Sequence, residues 1–210
     1  MANTLAPFGL SQYRGTGSAP TYEMTVAKIA SGNSTQIFTG DLVMPVTGST
    51  TGYITQYSPG TTPVLGVFAG CKYISVSQKR PVWLNYWPGS DANGDVEAYV
   101  ITDPNAQFLI QTSTGSAVGL ANIGKLATVA VGTGSTATGL SGMYLSTIGT
   151  TATYPLRIVD VYSSSPGNYG ASAGTVAGVN GTDYTTQYNY VVVALNNALT
   201  RSNGAVTGIS

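Results

Sequence analysis

The sequence predicts an all-β fold: a β-barrel or β-sandwich body with an extended N-terminal arm and long loops rich in Gly, Thr and Tyr. Three observations carry this expectation. Short runs of Val, Ile, Thr, Tyr and Phe recur along most of the 210 residues, each bounded by Gly, Pro, Asn or Ser, as strands separated by turns require. The large apolar residues in these runs show no i, i+3, i+4 stripe of the kind an amphipathic helix needs. With 42% hydrophobic residues and 14 Tyr, the chain can bury a core although only 8% of its residues are charged.

From the N-terminus, residues 1–21 combine Pro7, Gly9, Gly15, Gly17 and Pro20 with Leu5, Phe8, Leu10 and Tyr13. The breakers deny this segment an element of its own, while its apolar side chains are too many for a solvated tail. It is expected to be an extended arm that docks on something. The all-β body is expected over 22–199, and 200–210 reads as a C-terminal tail. Strands are predicted at 22–29, 36–46, 52–57, 64–69, 73–77, 82–86, 96–101, 107–111, 126–131, 142–145, 156–161 and 188–195. The last, Tyr-Asn-Tyr-Val-Val-Val-Ala-Leu, is the most β-branched and should lie inside a sheet. Long loops are predicted at 132–142, 146–154 and 163–186, the third being suited to ordering on assembly. The absence of a fixed repeat argues against solenoids and propellers.

Eight acidic and eight basic residues give a net charge of zero, so little repulsion keeps copies apart, and association with itself or with a neutral surface is favoured. The basic residues are scattered, Lys79-Arg80 being the only adjacent pair. No stripe neutralises a phosphate backbone, and nucleic acid is not an expected partner. The single cysteine, Cys71, excludes an intrachain disulfide and reads as a small buried hydrophobe. The first ten residues lack a signal-peptide core, and no apolar run nears the roughly 18 residues of a membrane span. Synthesis in the cytoplasm with no membrane partner is the expectation.

Histidine is absent, which removes the Ser-His-Asp, Cys-His and zinc-His constellations together. Glu23, Glu97 and the six aspartates form no evident acid and nucleophile pair of the glycosidase kind. No catalytic residue, cofactor or metal is expected. The stretch Asp91-Ala92-Asn93-Gly94-Asp95-Val96-Glu97 does offer oxygens at alternate positions, as the start of a calcium loop would. Its glycine is fourth where an EF-hand needs it sixth, and Thr102 stands where the bidentate Glu belongs. A hairpin turn on Asn93-Gly94, between Trp87 and the strand at Val96, is preferred over calcium at Asp91, Asn93 and Asp95. Gly132-Thr133-Gly134-Ser135 and Gly115-Ser116 lack the Lys-Ser/Thr ending of a phosphate loop and read as turns. The aromatic group Trp83, Tyr86 and Trp87, with Tyr53 and Tyr57, reads as core or subunit interface ahead of a sugar platform. Trp83 and Tyr86 fall on opposite sides of a regular strand.

One resemblance spans nearly the whole chain. The arm Ala2-Asn3-Thr4-Leu5-Ala6-Pro7-Phe8-Gly9-Leu10 is followed by Gly40-Asp41-Leu42-Val43, a Gly/Thr segment, and Val64-Leu65-Gly66-Val67-Phe68-Ala69-Gly70-Cys71. Then come an aspartate-ended strand before Pro104, Phe108-Leu109-Ile110-Gln111, Ala121-Asn122-Ile123-Gly124-Lys125, Leu156-Arg157-Ile158-Val159-Asp160 and a closing hydrophobic strand with Asn196. In this order the segments resemble those of small head decoration, or cement, proteins of tailed bacteriophages. The resemblance implies a non-enzymatic virion protein on the outer surface of the phage head, bound to the major capsid protein and to further copies of itself, trimers ahead of dimers. Contacts with capsid or neighbouring subunits are expected from Leu5, Pro7, Phe8, Leu10 and Tyr13 of the arm and from Tyr169 and Tyr184 of the long loop. The Tyr-rich 163–190 region is longer than in the shortest members. The alternative is a phage tail or fibre component with a receptor- or glycan-binding role.

Overall fold

The computed structural model describes residues 3–15, 23–48, 52–60, 63–162 and 186–200. Tyr169, Tyr184, the long loop up to residue 185 and the tail after Thr200 lie outside these residues.

Fourteen strands make up the described fold. They are β1 (Ser11–Arg14), β2 (Thr25–Ile29), β3 (Ile37–Phe38), β4 (Leu42–Pro45), β5 (Ile54–Gln56), β6 (Gly66–Ser75) and β7 (Arg80–Leu84), followed by β8 (Tyr86–Trp87), β9 (Val96–Ile101), β10 (Gln107–Gln111), β11 (Leu126–Ala130), β12 (Tyr144–Gly149), β13 (Leu156–Val161) and β14 (Tyr190–Leu195). A 3-10 turn at Leu120–Asn122 is the only helical element among the described residues. The first antiparallel sheet has the order β1-β10-β14-β13-β11-β12. The second runs β2-β9-β6-β4-β5, with β7 also on β6, and β3 and β8 form a separate pair. The fold is all-β, as predicted, but none of these sheets closes into a barrel. β14 lies inside the first sheet between β10 and β13, where Val191, Val192 and Val193 are all buried.

Alternation along the strands builds two cores, one on each face of the second sheet. Leu42, Val67 and Ile101 turn toward Phe108, Ile110, Leu145, Ile158 and Val193 of the first sheet. Their chain neighbours Val43, Phe68 and Val100 face the other way and join Ile29, Ile54, Cys71 and Trp87 in a second cluster. Successive side chains of a strand point to opposite faces, so each of these dipeptides serves both cores.

Several boundaries differ from the sequence expectation, each for a local reason. The strands predicted at 64–69 and 73–77 are one ten-residue strand, β6. Gly70, which lies between the two predicted runs, sits in a bulge against β9 with φ of 149°, and pairing resumes beyond it. The strand predicted at 36–46 is cut into β3 and β4 by a turn in which the Asp41 N–H donates to the Phe38 carbonyl. The loop predicted at 146–154 is strand as far as Gly149, because β12 pairs with β11 along its length.

The arm needs the largest correction. Residues 11–14, denied an element by their flanking breakers, form β1 at the edge of the first sheet, because the exposed backbone of β10 supplies hydrogen-bond partners that local propensity does not. Before β1 the chain crosses the Gly40 turn closely enough for the Leu10 N–H to donate to the Gly40 carbonyl at 2.9 Å. Gly9 makes this crossing with φ of 76°, and a Cβ there would stand 2.5 Å from the Ser141 Cβ. Gln111, buried at the end of β10, then acts as a second strand would. Its Oε1 accepts from the Ala6 N–H at 2.8 Å, while its Nε2 donates to the carbonyls of Thr4 at 2.8 Å and Tyr188 at 3.1 Å. Replacing Gln111 by alanine is expected to lower stability by about 1–3 kcal/mol and to speed hydrogen exchange at the Ala6 amide. Urea unfolding and exchange mass spectrometry measure both; unchanged protection of Ala6 would show that the arm is held by other contacts.

Candidate interaction surface

The arm residues expected to reach a partner are largely spent on the molecule itself. Leu10 is 3% exposed and belongs to the core between the sheets, so it is corrected from contact residue to core residue. Phe8 stacks on Tyr190 with ring centroids 5.6 Å apart, and Tyr13 meets Tyr162 edge-on at 5.9 Å. Pro7 is half-buried. Of these five side chains, Leu5 alone is exposed, at 39%. The reason is physical: an apolar segment laid along a half-open sheet gains more by burying its rings there than by presenting them to water.

A different surface presents itself instead. The face of the second sheet that packs on the first through Val67 and Ile101 continues along the same strands beyond that contact. There β6 carries Lys72 and Ile74, β9 carries Glu97 and Tyr99, β2 carries Val26 and Lys28, and β7 carries Pro81 and Trp83. Register places Lys28, Glu97, Lys72 and Trp83 side by side in one row across the four strands. A second row holds Val26, Tyr99 and Gly70, and Ile74 lies opposite Pro81. Trp83 is 64% exposed, and Val26, Ile74 and the nearby Val76 are exposed as well. A patch of large apolar groups around an exposed Trp is the composition of a protein contact surface, where Trp is among the residues that carry most binding energy.

The aromatic group of the sequence is therefore divided by the fold. Trp87 is fully buried, donates from Nε1 to the Asn33 carbonyl at 3.1 Å and meets Tyr73 edge-on at 5.1 Å. Tyr57 is buried in the core between the sheets, and Tyr86 stacks on Phe38 at 5.4 Å. Trp83 and Tyr86 do not share a regular strand, because the chain breaks at Asn85, whose side chain donates to the Thr138 carbonyl at 2.7 Å. Tyr53 points its hydroxyl at Asp95, 3.2 Å from each carboxylate oxygen.

Charges on the bare face are paired only loosely. Lys72 lies 3.8 Å from Glu97 and 5.4 Å from the centroid of the Trp83 ring, while Lys28 lies 3.7 Å from Asp95. Exposed pairs of this kind contribute about 0.2–1 kcal/mol each, so their charges stay available to a partner.

The segment 91–97 bounds this face as a turn. The Asp91 carboxylate accepts from Ser75 Oγ at 2.7 Å, the Ser77 N–H at 3.0 Å and Tyr73 Oη at 3.2 Å, which hold it below the usual carboxylate range. Asp95 turns instead toward Lys28 and Tyr53. The hairpin expected between Trp87 and Val96 is not formed, since β8 pairs with β3 and β9 with β2 and β6. What remains of it is a bend at Asn93 and Gly94, the latter at φ of 92°, while Ala92 bridges back to Ser75. Cys71 is buried, and desolvation pushes its thiol up to about 12, so it behaves as the small hydrophobe expected of it.

No sequence signal marked the bare face, because its rows become visible only once β2, β9, β6 and β7 are known to lie side by side. Comparison of the chain with protein-family models, with curated proteins and with solved structures found no match.

Proposed function

We propose that this chain is a structural virion protein, a capsid decoration or cement protein that binds the outer surface of a phage head and stabilises the coat-protein lattice. The order of sequence motifs supports this reading, and the observation that carries it is the bare apolar face around Trp83 in a chain with so few charges. Val26, Ile74 and Trp83 supply the apolar and aromatic groups in which protein contacts are enriched, while Lys28, Glu97 and Lys72 on the same face call for a partner with complementary charges. In this reading the two sheets form a β-sandwich, a stiff body that holds its contact surfaces at fixed positions. The arm, pinned by Gln111 and Tyr190, offers Leu5 as its outward apolar contact with the major capsid protein.

The rival reading, a tail or fibre component that grips a receptor glycan, draws on the same exposed Trp83 ring, since sugars stack on such faces. Lys72 stands over that ring, which makes a protein contact the better fit. Imaging purified particles with a label on this chain separates the two. Many copies spread over the head are expected, with occupancy reduced by Leu5→Asp. A few copies confined to the tail would transfer the chain to the fibre reading, and its absence from particles would end both.

A further inference from the structure

We infer that the bare face of the second sheet is a two-fold contact surface whose occupant is a second copy of this chain, which puts the dimer ahead of the trimer that the resemblance implied. The inference rests on reading this face as a protein-binding surface and names the partner. The row Lys28, Glu97, Lys72, Trp83 occupies β2, β9, β6 and β7 in that order. Let a second copy lie face to face on the first, related by a two-fold axis that runs along the strands between β9 and β6. Each β9 then lies over the other copy's β6, and each β2 over the other's β7. Glu97 faces Lys72 of the second copy and Lys72 faces its Glu97. At the ends of the row each Lys28 ammonium faces a Trp83 ring, an arrangement that cations and indole faces favour.

In the neighbouring row Tyr99 comes over Gly70 of the second copy, a residue without a side chain that lies beside the Leu84 carbonyl. A contact of this kind is isologous, each element meeting its counterpart, and it closes on itself without leaving a free end that would build filaments. The zero net charge of the chain adds no repulsion between the two copies.

The area is small. Strands about 4.8 Å apart make a four-strand face about 14 Å wide, and about six residues at a rise of about 3.4 Å run about 20 Å along it, an area of roughly 300 Å². That falls short of a standard interface of about 800 Å² per partner, so a free pair in solution is expected to be weak, with Kd of about 10 µM to 1 mM. Copies held close together on a lattice would raise the effective concentration and complete the contact.

Sedimentation velocity across a concentration series reaching about 1 mM, the weak end of that range, tests this with the full-length chain. The wild type is expected to show a reversible monomer–dimer equilibrium. Trp83→Ala, Glu97→Lys and Lys72→Glu are each expected to weaken it at least about tenfold, with thermal unfolding showing that each variant is folded. A one-to-one mixture of Glu97→Lys with Lys72→Glu should recover the dimer, because the altered rows are complementary to each other though neither is to itself. The double variant Lys72→Glu/Glu97→Lys should recover it too. A wild type that stays monomeric throughout, a trimer, single variants that associate as well as the wild type, or a mixture that fails to recover would each overturn the inference. The particle imaging above fails or succeeds independently of this result, so a wrong partner and a wrong function are told apart.

Discussion

Replacing Asp41 by alanine is expected to lower the unfolding free energy by about 2–4 kcal/mol, because three donors aimed at one buried carboxylate would lose their acceptor. Asp41 is 1% exposed. Its oxygens accept from the Phe38 N–H at 2.8 Å, Gln56 Nε2 at 2.7 Å and Ser141 Oγ at 2.5 Å, and Ser141 Oγ in turn accepts from the Met143 N–H at 2.9 Å. One side chain thus ties the turn before β4 to β5 and to the segment that leads into β12. Equilibrium urea unfolding measures the loss; a change under about 0.5 kcal/mol, typical of surface positions, would show that the hub can be replaced without cost.

The pH dependence follows from the same burial. Desolvation raises the Asp41 carboxyl above its ordinary value of 3.8, and its three hydrogen bonds offset this only in part. The native state therefore takes up this proton more readily than the unfolded chain. Its stabilising contribution is complete below 3.8 and is lost as the pH rises through the raised native value. Relative to Asp41→Asn, which does not titrate there, the wild type is expected to gain stability on acidification from neutral pH. Asp91 has the opposite sign: its contribution is complete above 3.8 and is lost as the pH falls from there through the lowered native value. Stability profiles of Asp41→Asn and Asp91→Asn that bend the same way relative to the wild type would contradict the two assignments.

Trp87→Ala is expected to cost about 3–5 kcal/mol, the range for removing a large aromatic from a packed core. The indole fills the second core beside Phe68 and Val96, and its loss would also take from the Asn33 carbonyl one of two donors, the other being the Ser90 N–H at 3.0 Å. Trp83→Ala, four residues earlier, is expected to change stability by no more than about 0.5 kcal/mol, since its ring lies in solvent. Thermal unfolding of the two variants side by side makes the contrast measurable. Comparable losses would mean that the Trp83 ring is held in the fold and not offered to a partner.

The divergence of these two tryptophans shows what could be read from the sequence and what could not. Strand runs such as 96–101, 107–111 and 156–161 coincide with β9, β10 and β13, because alternation and β-branching are local properties. Gln111 closed one of those runs without announcing that it would clamp the arm, a role that depends on residues 4 and 6 arriving from more than a hundred positions away. Leu10 was recognised as apolar and expected to dock, but its site proved to be the chain's own core. An apolar side chain carries no label for whose surface it will cover.

By itself the sequence determined the all-β class, most strand positions, the inert character of Cys71 and the poverty of charge that suits a chain for association. Composition and periodicity fix these, since each depends on residues within a few positions of one another. Only the tertiary structure decided that β1 completes the first sheet, that Asp41 is a buried hub, and that one sheet face runs on past its partner to leave Lys28, Glu97, Lys72 and Trp83 in a single exposed row. Those facts depend on which distant strands become neighbours, and hydrogen-bond pairing between strands leaves almost no trace in the local order of amino acids.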